Sequence, residues 1–351
     1  MIATEKALWE KVTDDLISYI KNNDFSKNRR FFTTEEISHK YNVSNITSRR
    51  VINELAEHGY IEKSRGRGCF VKYAISNAIY ILMPSGNVVV DYFSKSPIFL
   101  EFLRSIQQMA IVNKESVNLI NPSQLLKIKT QRPLGVIIVQ NIPWDHSDEI
   151  VELLSRDDVF SVICHVDAPE TWTSTVRADY RAAGRLVAEH LIGKGHRTFG
   201  WLASQRQWQS NTVAQRFEGF FNTLTQCGLK CNPGWMLELP LEKEDAMAEL
   251  NKAFTGADRP TAVFASNDEN ALTLMNFCFG RGIRVPEDMA VVGFDNLPVS
   301  GMTMPPLTTV DTFWKLQAEK SVAMLSEMIT RGKKIIEDVV IAPELIERRT
   351  T

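Results

Sequence analysis

Residues 33–71 read TTEEISHKYNVSNITSRRVINELAEHGYIEKSRGRGCFV. Thr33 stands three residues before Glu36, which is capping-box spacing, so a helix is expected to start there. It should end near Asn42, a residue that tolerates the left-handed conformation. Ser44 can cap a next helix with apolar positions Ile46, Val51, Ile52 and Leu55, and Gly59 is expected to end it. Two short β-type runs then flank a basic, glycine-rich turn at 65–68, which is a hairpin signal. Upstream, Leu8, Val12, Leu16, Ile17 and Ile20 recur at helical spacing and predict a first amphipathic helix.

Helix, short turn, helix and hairpin together make a winged helix-turn-helix. Such a unit can lay its third helix in the major groove, with small polar residues at its start reaching base edges. Ser44, Asn45, Thr47 and Ser48 stand at that start, with Arg49 and Arg50 available to phosphates. Arg65, Gly66 and Arg67 form the tip of the wing, where two guanidinium groups and a small backbone can approach DNA closely. Charge distribution agrees. The chain has net charge −2, but residues 1–73 carry 13 Lys and Arg against 10 Asp and Glu, a net of +3, and the remainder is −5. Only the small unit is suited to a polyanion.

The quoted stretch resembles the DNA-binding domain of GntR-family regulators over its full length. That resemblance implies base contact from Ser44, Thr47, Ser48 and Arg49 and wing contact from residues 65–68. The chain departs from the family at Glu35 and Asn45, where arginine is frequent, so operator sequence does not carry over from other members.

The chain of 351 residues is 44% hydrophobic and 23% charged, a globular composition long enough for two or three folding units. Beyond residue 73 the pattern alternates apolar β runs with helical periodicity. Strands are expected at 79–83, 117–120, 136–139, 159–165, 198–202, 262–265 and 290–294, and helices at 99–110, 182–191 and 270–281. Alternation of this kind predicts doubly wound parallel sheets, whose ligands bind beyond the carboxyl ends of the strands. Asp167, Asn267 and Asp295 follow such ends, Arg216 opens a later helix, and Trp208 precedes it with a face that could stack on a sugar. Carboxylate, amide and guanidinium groups suit a polyhydroxylated ligand.

The segments DYRAAGRLVAEHLIGKGHRTFGWL, RFEGF, FASNDENAL, GIRVPEDMAVVGFDN, PPLTTV and APELIERRT occur in order over the last half of the chain. They are similar to the effector domain of LacI/GalR-type repressors, which has the periplasmic-binding-protein-like α/β fold of two parallel-sheet subdomains. The resemblance implies that Asp167, Arg216, Asn267 and Asp295 contact the ligand and that 85–97 tunes specificity. A GntR-type head on a LacI-type sensor is also the layout of arabinose-repressor-like proteins. The organisation expected is a DNA-binding domain at 1–73, a linker at 74–78 and an effector domain at 79–351. Its subdomains would be 79–175 with 300–322, and 176–299 with 323–351, with crossovers near 174–178, 297–301 and 320–325.

A homodimer on a near-palindromic operator is expected, together with a small-molecule effector, and repression is the implied sense of regulation. No cofactor and no metal are called for: Cys227 and Cys231 lack further ligands nearby, and the five scattered cysteines read as reduced thiols. The start of the chain lacks a secretory pattern and no apolar run is long enough to span a bilayer, so a cytoplasmic, membrane-free protein is expected. An enzyme is disfavoured by the lack of GxxxxGK, GxSxG and HExxH patterns, and no lysine context suits a pyridoxal-phosphate domain. A transport-binding protein is disfavoured by the DNA-binding head.

Overall fold

The computed structural model describes residues 7–22, 30–58, 60–71, 78–83, 96–113, 115–128, 134–139, 147–165, 173–205, 210–240, 242–254 and 259–351. Gly59 and 72–77 lie outside this set, so the expected helix stop and most of the expected linker do too.

The head consists of α1 (Leu8–Asn22), α2 (Thr34–Tyr41), α3 (Asn45–Glu57) and a hairpin of β1 (Ile61–Ser64) and β2 (Gly68–Val71). Both caps form as the sequence predicts. The Thr33 hydroxyl accepts from the Glu36 amide, the Glu36 carboxylate accepts from the Thr33 amide, and Asn42 ends α2 at φ 50°. The Ser44 side chain accepts from the Thr47 amide to start α3. Val12, Leu16, Ile17, Ile20, Ile37, Val51, Ile52 and Leu55 bury themselves in one cluster with Tyr60 and Ile61. Two positions differ from the sequence reading. Leu8 is 60% exposed and Ile46 82% exposed, because each points away from this cluster.

The larger unit has two parallel sheets. The first contains β3 (Ala78–Leu82), β4 (Ser116–Ile120), β5 (Leu134–Val139), β6 (Val159–Cys164), β7 (Ser174–Ala178) and a late strand, β13 (Asp338–Ile341), in the order β13-β7-β6-β5-β3-β4. Strands β5 and β6 are buried throughout, so they read as continuous apolar runs rather than alternating ones. Their residues still alternate between two cores. Ile137, Val139, Phe160 and Val162 face one side, and Val136, Ile138, Val159 and Ile163 the other. Helices α4 (Pro97–Val112), α5 (Pro122–Leu125) and α6 (Ser147–Ser155) connect these strands.

The second sheet, β11-β10-β8-β9, is built from β8 (Phe199–Ser204), β9 (Met236–Leu239), β10 (Ala262–Ala265) and β11 (Ala290–Val292). Its helices are α7 (Tyr180–Gly193), α8 (Asn211–Gln226), α9 (Lys243–Phe254) and α10 (Asp268–Arg281). A two-stranded ribbon of β12 (Thr309–Asp311) and β14 (Glu344–Ile346) lies where the chain changes lobes. The long helix α11 (Trp314–Arg331) precedes β13.

These strands correct the expected subdomain limits. Residues 174–178 are a full strand of the first sheet, so the chain crosses after Ala178, where Asp179 caps α7. Residues 320–325 lie inside α11, whose Ala318, Val322, Leu325 and Ile329 pack on the first sheet. The return to the second lobe comes after β13, whose Val339–Val340 pair is drawn into register with Val176 and Arg177 of β7. The chain then ends against the second lobe, with the Val291 amide donating to the Thr350 carbonyl at 2.8 Å.

Candidate functional site

The strand order reverses between β3 and β5 in one sheet and between β8 and β10 in the other. Clefts open at such switch points, beyond the strand carboxyl ends. His165, at the end of β6, and Ser266 and Phe294, at the ends of β10 and β11, converge there.

Arg216 comes from the buried face of α8 and is 4% exposed. Its Nη1 donates to the Ser266 carbonyl at 2.5 Å, and its guanidinium carbon lies 3.7 Å from the Phe294 ring centroid and 5.2 Å from that of Tyr180. Glycines allow this approach. A Cβ on Gly184 of α7 would fall 2.0 Å from the Arg216 carbonyl oxygen, and one on Gly219 of α8 would fall 2.0 Å from that of Arg181. The two helices touch backbone to backbone, and that close crossing sets the position of Arg216.

Opposite Arg216 stands an aromatic stack absent from the expected ligand set. The His165 ring lies 3.8 Å from the ring of Trp314, and its Nδ1 hydrogen-bonds the Tyr180 hydroxyl. His165 is left-handed at φ 80°. Burial, aided by the Arg216 charge, pushes the His165 pKa well down, so the ring is neutral. Trp314 is the first residue of α11 and follows Phe313, itself left-handed at φ 55°. The buried Trp314 Nε1, Gln317 Oε1 and Thr312 Oγ1 have no hydrogen-bond partner among the described residues. The aromatic pair Phe313-Trp314 at the start of a helix is the one signal in the sequence that points to this stack.

Asp295 and Asn296 are both left-handed, at φ 103° and 48°. Asp295 lines a cavity of about 720 Å³ between the lobes, together with Pro97, Glu101, Asp311, Phe313 and Trp314. Burial, with Asp268, Glu269 and Asp311 nearby, pushes its carboxyl up to about 8 against the opposing pull of Arg216. The shift favours the protonated form, in which this group can donate as well as accept. Asp268 is held at about 6 by burial, offset by the Thr309 hydroxyl and the Leu297 amide that donate to it. Asn267 is buried, and its Oδ1 caps α10 through the Asn270 amide. Of the expected ligand set, Arg216, Asn267 and Asp295 therefore gather at one strand-end region, with only Asp295 on the cavity wall. Asp167 and Trp208 lie outside the described residues, as do 84–95.

The Asp295 shift has a measurable consequence. Its folded pKa, about 8, lies above the ordinary 3.8. Its contribution to stability is complete below the unfolded value and is lost as pH rises through the folded one. Melting temperature should therefore fall more steeply from pH 6 to 8 in the native chain than in Asp295→Asn, measured by parallel thermal melts. Equal slopes would show that Asp295 ionises normally.

On the head, Asn45, Arg49, Arg50, Arg65 and Arg67 are exposed and Thr47 is half-buried. Gly66 and Gly68 are left-handed at φ 76° and 99°, which forms the wing turn. The Arg50 guanidinium lies 3.9 Å from the Trp9 ring centroid and is presented by that ring. Ser48 is a correction. It is fully buried and its hydroxyl donates back to the Ser44 carbonyl at 3.2 Å, so it cannot reach a base.

Among the described residues no helix is long and apolar enough to cross a membrane, and no cluster of His, Cys, Asp and Glu could hold a metal. All five cysteines are free.

Comparison with known proteins divides the chain the same way. Residues 24–73 match a DeoR-like helix-turn-helix domain and 188–351 a periplasmic binding protein-like domain. The first match does not support the GntR assignment of the head. The chain is 26% identical over 329 residues to the HTH-type transcriptional repressor PurR of Pasteurella multocida, covering 91% of this chain and 95% of that one. It is 28% identical over 265 residues to the PurR of Mannheimia succiniciproducens, covering 73% and 78%. Among solved structures, the transcriptional regulator CelR–cellobiose complex aligns at TM-score 0.65 and 20% identity over 99% of this chain and 100% of that one. A LacI family regulator from Enterococcus faecium with bound ribose aligns at TM-score 0.65 and 22% identity over 78% and 98%. The chain thus joins an N-terminal helix-turn-helix to an α/β periplasmic-binding-protein-like domain, the architecture of the LacI-family regulators it is similar to.

Proposed function

We propose that this protein is a ligand-responsive transcription regulator, a repressor by analogy with its relatives, that binds operator DNA through the head and a sugar or sugar derivative in the interlobe cleft. The observation that carries the reading is the joining of a capped helix-turn-helix and basic wing to a two-lobed fold whose strand ends converge on Arg216 and Asp295. Ribose and cellobiose in the two similar structures support a carbohydrate ligand. So does the cavity, which offers flat aromatic rings beside an acid that can donate and accept. In this reading Asp167 and Trp208 complete the ligand set. Asn45, Thr47 and Arg49 read the major groove, while Arg50, Arg65, Gly66 and Arg67 meet the backbone.

Helix α11 gives the ligand a path to the head. Its first residue, Trp314, stacks on His165 at the cleft. At its other end the Thr330 carbonyl accepts a 2.7 Å hydrogen bond from the Tyr60 hydroxyl of the head. Eighteen residues of helix span ~27 Å and move as one body. A ligand that bridges the lobes favours their closed arrangement, and that differential affinity is the energy available to move the heads.

The chain acts as a homodimer on a near-palindromic site. Leu100, Ile111, Val112 and Leu119 of the first lobe and Phe279, Met302 and Met304 of the second are exposed, and a second copy would cover such apolar surface.

A salt titration tests the DNA interface. Arg65→Ala or Arg67→Ala should weaken binding to all duplexes and reduce the slope of log affinity against log salt by about 1, since a protein that meets one phosphate fewer releases one counterion fewer. Sedimentation of the same mixtures should give two chains per duplex. An unchanged slope in both variants would remove the wing from the interface.

A further inference from the structure

The apolar residues of α3 divide into two kinds. Val51, Ile52 and Leu55 are 0–6% exposed, whereas Ile46 is 82% exposed. At ~100° per residue the buried Ser48, Val51, Ile52 and Leu55 lie together on one side of the helix, and Ile46 falls almost opposite their mean direction. It therefore sits at the centre of the outward face, flanked by Asn45 and Thr47, with Arg49 and Arg50 one turn on. Core packing does not explain an isoleucine there. Helix propensity does not either, because a β-branched side chain is inferior to alanine or lysine at an exposed helical position.

The surroundings restrict what can cover it. The first turn of α3 has no acidic residue, and the exposed residues within four positions of Ile46 are neutral or basic. Ser44 fixes the start of the helix through the Thr47 amide, and Arg50 is braced on Trp9. The result is a rigid, basic helix end with one apolar knob at its middle. This matches a polyanion that carries one apolar group in an otherwise polar groove. In duplex DNA that group is the C5-methyl of thymine, which only that base presents in the major groove.

We infer that Ile46 is a specificity-determining residue that packs against the methyl group of a thymine in each operator half-site. The inference rests on the DNA-binding reading of the head. It assigns a base preference to a position that the sequence pattern places in the core.

The test uses the full chain and a duplex selected by it from a random pool. Each thymine of one half-site is replaced in turn by deoxyuridine, which removes only the methyl. The native protein should lose about fourfold in affinity at one position, the value of one buried methyl group, and little elsewhere. Ile46→Ala should lose about as much on the unmodified duplex, keep its affinity for random duplex within about twofold, and no longer distinguish thymine from deoxyuridine at that position. Because Ile46 is exposed, this variant should melt with the native chain. Native binding that ignores every deoxyuridine overturns the inference, and that arm needs no variant. Losses that simply add in the variant overturn it as well. So does a variant with unchanged DNA binding but weakened self-association, which would assign Ile46 to a protein contact. If the native chain selects no sequence at all, the DNA-binding reading itself fails and the inference falls with it.

Discussion

Gly184→Ala should lower the melting temperature of the effector domain by about 10 °C and weaken ligand binding with it. The added methyl would lie 2.0 Å from the Arg216 carbonyl oxygen and 2.7 Å from the Phe220 amide nitrogen, both backbone atoms that no rotamer change can move aside. Helices α7 and α8 must separate, and their facing residues Ala183, Val187, Phe220 and Leu224 belong to one buried cluster. Overpacking of this kind costs about 3 kcal/mol, and each kcal/mol is worth about 2–4 °C in a domain of this size. Gly219→Ala meets the Arg181 carbonyl at the same 2.0 Å and should behave alike. Gly280→Ala is the control. It lies in α10 with nothing within 4 Å of the new methyl, so it should leave the melt unchanged or raise it slightly. A Gly184→Ala protein that melts within about 1 °C of the native chain, by calorimetry, would contradict the close helix crossing.

Arg216→Ala should reduce affinity for the effector by at least about tenfold while leaving operator affinity within about twofold. If Arg216 contacts the ligand as proposed, that charge-assisted hydrogen bond contributes about 1.5–3 kcal/mol, which is one to two decades in dissociation constant. Arg216→Lys should not restore it. The guanidinium carbon lies 3.7 Å from the Phe294 ring centroid while Nη1 holds the Ser266 carbonyl, and an ammonium cannot do both. Titration calorimetry with the effector and anisotropy with labelled operator separate the outcomes. If effector affinity is undiminished in a folded variant, Arg216 is a structural residue that braces the strand ends and no more. Loss of operator binding in a folded variant would instead mean that its role reaches the head directly.

Much of this is legible in the sequence because the signals are local. Capping boxes and left-handed stops depend on residues three or four apart, so Thr33, Glu36, Asn42, Ser44 and Asp179 can be placed without a structure. Continuous apolar runs such as Leu134–Val139 declare a buried parallel strand by composition alone. The positions that differ share a cause. β7 and β13 are short and hold polar residues, and β13 has β7, some 160 residues away in the chain, as its strand partner. No window around β13 contains its partner, and β7 is a short run with polar residues, so local pattern sets both crossovers too early. Ile46 and Ser48 exchange surface and core because an apolar residue near a helix start fits more than one phase of the helical period, and only the packed cluster fixes which. Trp314 and His165 come from segments some 150 residues apart, and the Asp295 carboxyl is raised first by its burial and then by carboxylates that arrive from other segments. Such properties belong to the assembled cleft, not to any stretch of sequence.

The most direct test of the central claim is the affinity of the full-length chain for its selected operator, measured by anisotropy with and without effector. Effectors would be found by thermal shift over pentoses, hexoses, sugar phosphates and nucleosides, since a bound ligand raises the melting temperature by mass action. The account predicts a near-palindromic operator and a change in affinity of about tenfold or more at saturating effector, with Arg216→Ala binding the same operator but no longer responding. Operator affinity that is identical with and without an effector shown to occupy the cleft would contradict it.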